Sequence, residues 1–173
     1  MTMTDESTPT EAQLRLRPPA HRVEARAMLW WALQSAAFAV PLLVGGGVAY
    51  WQWEAGRPLV LLALIALSVF AVAVIAVEPF WRYAVHRWET TDDAVYAVTG
   101  WVVREWRAAP ISRIQTVDAV RGPVEQLLGL ATLRVTTASS KGAIDIGGLD
   151  HQVAADVAER LTQITQATEG DAT

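Results

Sequence analysis

The sequence predicts an α+β membrane protein, in which a two-helix transmembrane hairpin precedes a strongly bent antiparallel sheet or open barrel capped by a C-terminal helix. Two long apolar runs fill much of the first half of the 173-residue chain. From about residue 86 the pattern changes to short strands separated by turn residues, and an amphipathic helical stripe follows them. About 70 residues of strand and helix can bury one modest core.

The apolar runs are long enough to cross a bilayer. The first extends from Ala27 to Trp53 and the second from Pro58 to Val77, and only Glu54 and Arg57 carry charge between them. About 20 helical residues at about 1.5 Å each span a hydrocarbon core of roughly 30 Å. We therefore expect a hairpin over residues 27–81, with spans at about 28–50 and 59–79. Buried helices of a soluble bundle and a signal peptide are the alternatives to this interpretation.

Aromatic residues mark three of the four expected membrane crossings, as is typical of the interface. They are Trp30, Trp31, Tyr50, Trp51, Trp53, Phe80, Trp81 and Tyr83. Within the first span, Gly45, Gly46 and Gly47 predict either a close contact with a neighbouring helix or local flexibility.

Arginines predict the orientation of the hairpin. Four arginines precede the first span and two follow the second, whereas the connecting loop has one Arg and one Glu. The positive-inside rule then places both termini in the cytoplasm and the short connecting loop on the opposite side of the membrane. Residues 1–26 are rich in Thr, Pro and charge, so we expect a disordered cytoplasmic tail there. The chain has no cysteine, so no disulfide is expected.

The second half predicts a domain over residues 82–166, followed by a tail at 167–173. We expect strands at about 86–91, 94–98, 101–108, 111–120, 130–137 and 143–146, with a short helix at 124–128. Asp92–Asp93 and Thr99–Gly100 are turn signals, and Asp150 is a suitable N-cap. The closing helix has an apolar stripe of Val153, Val157, Leu161 and Ile164, which must be buried against the sheet.

A motif in this half resembles the bacterial PH (pleckstrin-homology) domain membrane proteins of the YdbS-like family. The motif residues are Pro110, Arg113, Ile114, Gln115, Thr116, Val117, Asp118, Gly122, Pro123 and Gly129. The resemblance extends over about residues 27–161, including both spans. The resemblance implies that this half folds as a PH-like domain. It also implies that the protein is a small membrane component that accompanies a larger multi-PH membrane protein.

The motif has a structural interpretation and a functional one. Gly122 and Gly129 bracket a turn where backbone freedom is needed, and the spacing of Ile114 and Val117 predicts a bulge. Asp118 could pair with Arg113 or with turn amides. The motif is then either a corner that stabilises the fold or a binding surface.

Residue patterns for catalysis and metal binding are missing from the sequence. It has no nucleophile motif, phosphate loop or metal-ligand cluster, and His21, His86 and His151 lack metal-ligand spacing. We therefore expect no catalytic residue, no metal and no cofactor. Residues 82–173 contain nine Lys and Arg against twelve Asp and Glu, which disfavours nucleic acid and a polyphosphate pocket.

These observations lead to a hypothesis of a non-enzymatic scaffold or accessory subunit in an inner-membrane complex, with envelope stress or export as candidate pathways. Its partners would be membrane lipids through the two spans, and a membrane protein or a second copy of the chain. The alternatives are a module that senses a lipid or small ligand at the open end of the barrel, and a subunit of a transporter or membrane enzyme. The candidate contact residues are Arg104, Arg107, Arg113 and Arg121.

Overall fold

A computed structural model describes residues 19–138 and 142–170, with side chains described to residue 166. Residues 1–18 of the predicted N-terminal tail and residues 171–173 of the predicted C-terminal tail lie outside this part of the chain. The helices are α1 (Ala27–Gln52), α2 (Arg57–Val85), α3 (Pro123–Leu128) and α4 (His151–Gly170). The strands are β1 (His21–Arg22), β2 (Arg87–Thr90), β3 (Ala94–Thr99), β4 (Glu105–Pro110), β5 (Ile114–Val120), β6 (Leu130–Thr137) and β7 (Ile144–Asp150).

Helices α1 and α2 form the expected antiparallel hairpin. The apolar windows of the two helices are only 11% and 6% buried within the protein. Such a large exposed apolar surface is stable in lipid and not in water, which argues against the soluble-bundle alternative. Where the helices meet, a Cβ atom at Gly46 would lie 2.6 Å from a Leu64 methyl group, whereas Gly45 and Gly47 face open space. Gly46 is therefore the contact glycine of the hairpin.

The strands form two antiparallel sheets, with the orders β1-β2-β3-β4 and β5-β6-β7. Helix α4 packs against β5, β6 and β7 and closes one end of the domain. The register shifts between Ile114 and Thr116, which confirms the predicted bulge. Gly129 ends α3 with a φ of 66°, a conformation that glycine adopts without steric cost.

Two segments differ from the strands expected between residues 101 and 120. Gly100 has a φ of 106°, and residues 100–104 form a loop, so β4 begins only at Glu105. Residues Ile111–Arg113 form a single 3₁₀ turn after Pro110, so β5 begins at Ile114. At these points the backbone conformations set by Gly100 and Pro110 interrupt the strands, although the neighbouring valines and isoleucine favour strand structure.

Residues 19–26 are ordered, although their composition predicted a tail. His21 and Arg22 pair with Trp88 and Arg87 and add β1 to the edge of the first sheet. Pro19 and Val23 are buried. A two-residue strand has no periodicity of its own, and it is stabilised here by a partner that follows both membrane helices.

The core includes the start of α1 as well as the sheets and α4. Ala27 and Trp31 belong to the same buried cluster as Leu133 and Leu161. Gly148 of β7 has a φ of 81°, and a Cβ atom there would lie 2.6 Å from the Cβ atom of Ala27, so glycine allows α1 to approach the sheet.

The structure confirms most of the N-cap and apolar stripe predicted for helix α4. Asp150 accepts a hydrogen bond from the Gln152 amide at 2.9 Å, as expected of an N-cap. Leu161 is buried, and Val157 and Ile164 pack at the edge of the core. Val153 is exposed, and Ala154 takes its place on the buried face. The helix extends to Gly170, beyond the tail boundary expected at residue 167.

Candidate functional site

The membrane hairpin and the PH-like domain meet in a packed junction around Trp31. This side chain is 1% exposed, and its ring lies 4.9 Å from the ring of His86. The Arg82 guanidinium carbon lies 4.7 Å from the centroid of the Trp31 ring, within cation–π range. Trp31 was expected at the bilayer interface, but it instead joins α1, the end of α2 and the domain core.

The surroundings of His86 favour the neutral form of its imidazole. Burial lowers the pKa of its imidazole below the ordinary 6.5, and the nearby Arg82 charge lowers it further. A hydrogen bond to the Arg82 carbonyl opposes this shift, with the His86 Nδ1 atom 2.8 Å from the oxygen. The carbonyl can only accept, so Nδ1 carries the proton.

A polar contact also links the two helices just before the junction. Ser35 donates to Glu78 at 2.9 Å, and Arg82 donates to the other Glu78 oxygen at 3.1 Å. The Glu78 carboxylate is therefore paired where α2 leaves the apolar run.

An apolar groove of about 690 Å³ lies beside the junction, between the end of α2 and the first sheet. We call it the α2–β4 groove. It is lined by Ala76, Val77, Phe80, Trp81, Ala84, Val85, Arg87, Val98, Arg104 and Trp106. No acidic residue appears in this lining, and both of its charged residues are arginines.

The strand register explains why residues distant in sequence line the same groove. Arg87 on β2 lies opposite Val98 on β3, and Val98 lies opposite Trp106 on β4. Residues directly opposite each other in a sheet point to the same face. This row faces α2, and Arg104 joins it from the loop before β4. Arg87 is absent from the contact residues inferred from the sequence, because only the register of three strands places it in the same groove as Arg104.

The loop between β3 and β4 projects an apolar tip. Trp101, Val102 and Val103 are 41%, 73% and 70% exposed, and Arg104 follows them directly. Three consecutive exposed apolar residues are unfavourable in water and favour a partner surface or a membrane.

The four candidate contact arginines do not form one surface. Arg104 lines the α2–β4 groove, whereas Arg107 donates to Glu105 and to the Ala143 carbonyl and so bridges the two sheets. Arg121 donates to the carbonyls of Leu130 and Gln126. Arg113 lies exposed in the 3₁₀ turn.

The motif builds a hydrogen-bonded corner around Glu125, a residue that sequence reasoning did not single out. The buried Glu125 carboxylate accepts from the Gly122 amide and from the Thr132 hydroxyl, each at 2.7 Å. The bond to the Gly122 amide is one half of a helix N-terminal capping box, because Gly122 has no side chain that could accept a bond in return. Asp118 accepts a hydrogen bond from the Thr116 hydroxyl. The sequence had suggested that Asp118 pairs with Arg113 or with turn amides. The corner also presents Leu127, which is 86% exposed.

Arg26 ties this corner to the first membrane helix. It donates to the Leu128 carbonyl at 3.0 Å and to the Asp150 carboxylate at 2.7 Å. The Gln152 amide, and then Arg26, hold the pKa of Asp150 below its usual value. One of the arginines used to infer orientation therefore also positions α1 against the domain.

A second, more polar cleft of about 420 Å³ opens between β4 and β7, where the two sheets separate. Among the described residues, no group of three or more His, Cys, Asp or Glu side chains could hold a metal ion.

Comparison with known proteins supports the architecture as a whole. A family model described as a bacterial PH domain matches residues 31–165, which include most of the hairpin as well as the domain. The chain is also similar to the UPF0699 transmembrane protein YdbS of Bacillus subtilis (strain 168). The two are 28% identical over 162 residues, covering 88% of this chain and 97% of YdbS. No solved structure gives a significant match.

Proposed function

The chain belongs to the bacterial PH domain family, and from this premise we propose that it is a non-enzymatic scaffold or accessory subunit of a complex in the bacterial cytoplasmic membrane. Its partner would be another membrane protein, such as a larger protein with several PH domains, or a second copy of this chain. Envelope stress and export are the processes in which such a subunit would act.

The observation that carries this proposal is the core shared by the hairpin and the domain. Trp31 of α1 packs on His86, and Ala27 packs against Gly148 of β7. No flexible linker separates membrane from domain, because α2 ends at Val85 and β2 begins at Arg87. A domain held in this way presents the same surfaces at a fixed height above the bilayer, which suits a scaffold.

The surface we propose for protein contact is the corner around Leu127. Val120 is 43% exposed and ends the strand that leads into this corner. Arg121 and Gln126 exchange hydrogen bonds and hold this apolar pair in place. An exposed apolar pair on a rigid support is typical of a contact site. Arg113, at the other end of β5, is the second position we propose for contacts.

Both termini are proposed to be cytoplasmic. The pairing of His21 with Trp88 requires the residues before α1 and after α2 to emerge on the same side of the bilayer. The arginines at these two ends then favour the cytoplasmic side.

Site-specific photocrosslinking in native membranes tests the proposal. A photoreactive amino acid at Leu127 is expected to give a discrete product containing a membrane protein or a second copy of the chain, identified by mass spectrometry. The same group at Gln163, exposed on α4, is the matched control. Leu127→Asp should abolish the complex while leaving the unfolding midpoint unchanged. No product at Leu127, or equal products at both positions, would contradict the proposed contact surface.

A further inference from the structure

The α2–β4 groove has the shape and charge of a lipid site. We propose that it binds one anionic phospholipid from the leaflet that the domain faces. One acyl chain lies along the exposed face of α2, and the phosphate lies between Arg87 and Arg104. This inference concerns a different surface from the Leu127 corner and does not depend on the protein partner.

The first argument is the height of the groove along α2. Helix α2 begins at Arg57, and about 20 residues at 1.5 Å each cross roughly 30 Å of hydrocarbon. The hydrocarbon core therefore extends from the start of α2 to about Val77. The groove begins at Ala76 and ends at Val85, so it crosses the interface where lipid phosphates lie.

The second argument is the continuity of the groove with the membrane-facing surface. Phe80 is 67% exposed and Trp81 is 52% exposed, and both lie on the helix whose preceding turns contact lipid. An acyl chain can enter the groove from the leaflet without leaving an apolar environment. A soluble protein segment would first have to displace lipid from the same surface.

The third argument is charge. Arg87 and Arg104 line the apolar wall, and no carboxylate lines the groove among the described residues. The acidic side chain nearest in sequence to Arg104 is Glu105, and its carboxylate is bonded to Arg107 at 2.9 Å. The two groove arginines have no such partner in the described hydrogen bonds. Guanidinium groups bind phosphate oxygens through short charge-assisted hydrogen bonds.

The loop between β3 and β4 completes the site. The exposed Trp101, Val102 and Val103 lie directly before Arg104. When Arg104 binds the lipid phosphate at the membrane interface, these apolar side chains lie at the depth of the acyl chains of the surrounding lipids. Tryptophan is favoured at the interface and valine in hydrocarbon, so the loop is expected to insert beside the bound lipid.

Native mass spectrometry of the full-length protein tests the site. The protein is released from mixed micelles that contain phosphatidylglycerol and phosphatidylcholine in equal amounts, and retained lipid is counted. The test variants are the double variant Arg87→Gln/Arg104→Gln and the groove-filling Ala84→Phe. The matched controls are Arg160→Gln, which removes an exposed arginine of α4, and Ala73→Phe, which enlarges an exposed alanine of α2 outside the groove.

The wild-type protein is expected to retain one phosphatidylglycerol in preference to phosphatidylcholine. Loss of both arginines should reduce this retention at least about tenfold, as expected when charge-assisted hydrogen bonds are lost. Ala84→Phe should reduce retention of both lipids, and the two controls should behave as wild type. Equal retention by the double variant, or an equal loss with Arg160→Gln, would overturn the site.

The position of the loop can be tested separately, because the chain has no cysteine of its own. A spin label is attached to Val102→Cys or to the control Gln163→Cys in vesicles that contain phosphatidylglycerol. The label at position 102 should be protected from a water-soluble relaxation agent and accessible to oxygen. Equal accessibility to the water-soluble agent at both positions would refute insertion of the loop.

Discussion

Replacing Leu161 by alanine tests the packing of α4 on the sheets. Leu161 is 1% exposed and shares the core with Ile114 and Leu133. The change removes three carbon atoms, which at about 0.8 kcal/mol each correspond to about 2.4 kcal/mol of lost transfer free energy. The cavity left behind adds to this value, so we expect the free energy of unfolding to fall by roughly 2–5 kcal/mol. For a chain of this size, that loss lowers the melting temperature by roughly 5–20 °C.

The measurement is thermal unfolding of the full-length protein in detergent, followed by near-ultraviolet circular dichroism. The full chain is needed because β1 pairs with β2 and Trp31 belongs to the core, and both precede the second span. Leu127→Ala is the matched control, since it removes the same atoms from a helical side chain that is 86% exposed. The control should change stability by no more than about 0.5 kcal/mol. Equal destabilisation by the two variants would refute the capped-sheet core.

The other predictions concern the hairpin, the junction and the orientation. Gly46→Leu should overpack the contact between α1 and α2 and lower the free energy of unfolding by roughly 1–3 kcal/mol in an SDS titration. Gly45→Leu is the control and should be tolerated, and equal effects of the two changes would argue against this contact. The pKa of His86 is lowered in the folded state, so the unfolded chain takes up a proton first as the pH falls through about 6.5. The free energy of unfolding should therefore be constant above that pH and decrease below it. His86→Gln should remove this pH-dependent loss of stability, and a pH profile in that variant equal to that of the wild type would contradict the lowered pKa of His86. An alkaline phosphatase fusion at Thr173 should be inactive and one within residues 54–57 active, and the reverse pattern would overturn the proposed orientation.

Local patterns in the sequence were sufficient to predict the hairpin, α3, the Asp150 cap and the bulge near Ile114. Each depends on residues close together in sequence, such as an apolar run or a glycine after a short helix. The stripe on α4 was predicted less accurately, because helical spacing alone does not distinguish Val153 from Ala154 at the edge of the buried face.

Features that depend on long-range pairing were missed. Strand β1 has two residues, and its partner β2 lies beyond both spans, so no local pattern indicates it. The presence of Arg87 and Arg104 in one groove likewise requires the register of three strands. Trp31 was interpreted as an interfacial aromatic because composition cannot distinguish a tryptophan at the bilayer surface from one buried where a helix enters a domain.

The pairing of β1 with β2 has a consequence for the order in which the protein is made. Residues 21–22 leave the ribosome before either membrane helix, whereas their partners at 87–88 follow the second one. The first sheet cannot be completed until both helices have been synthesised and their ends lie on the same side of the bilayer. A chain with only one helix inserted keeps β1 and β2 on opposite sides of the membrane, so the domain can fold only after the hairpin is correctly inserted.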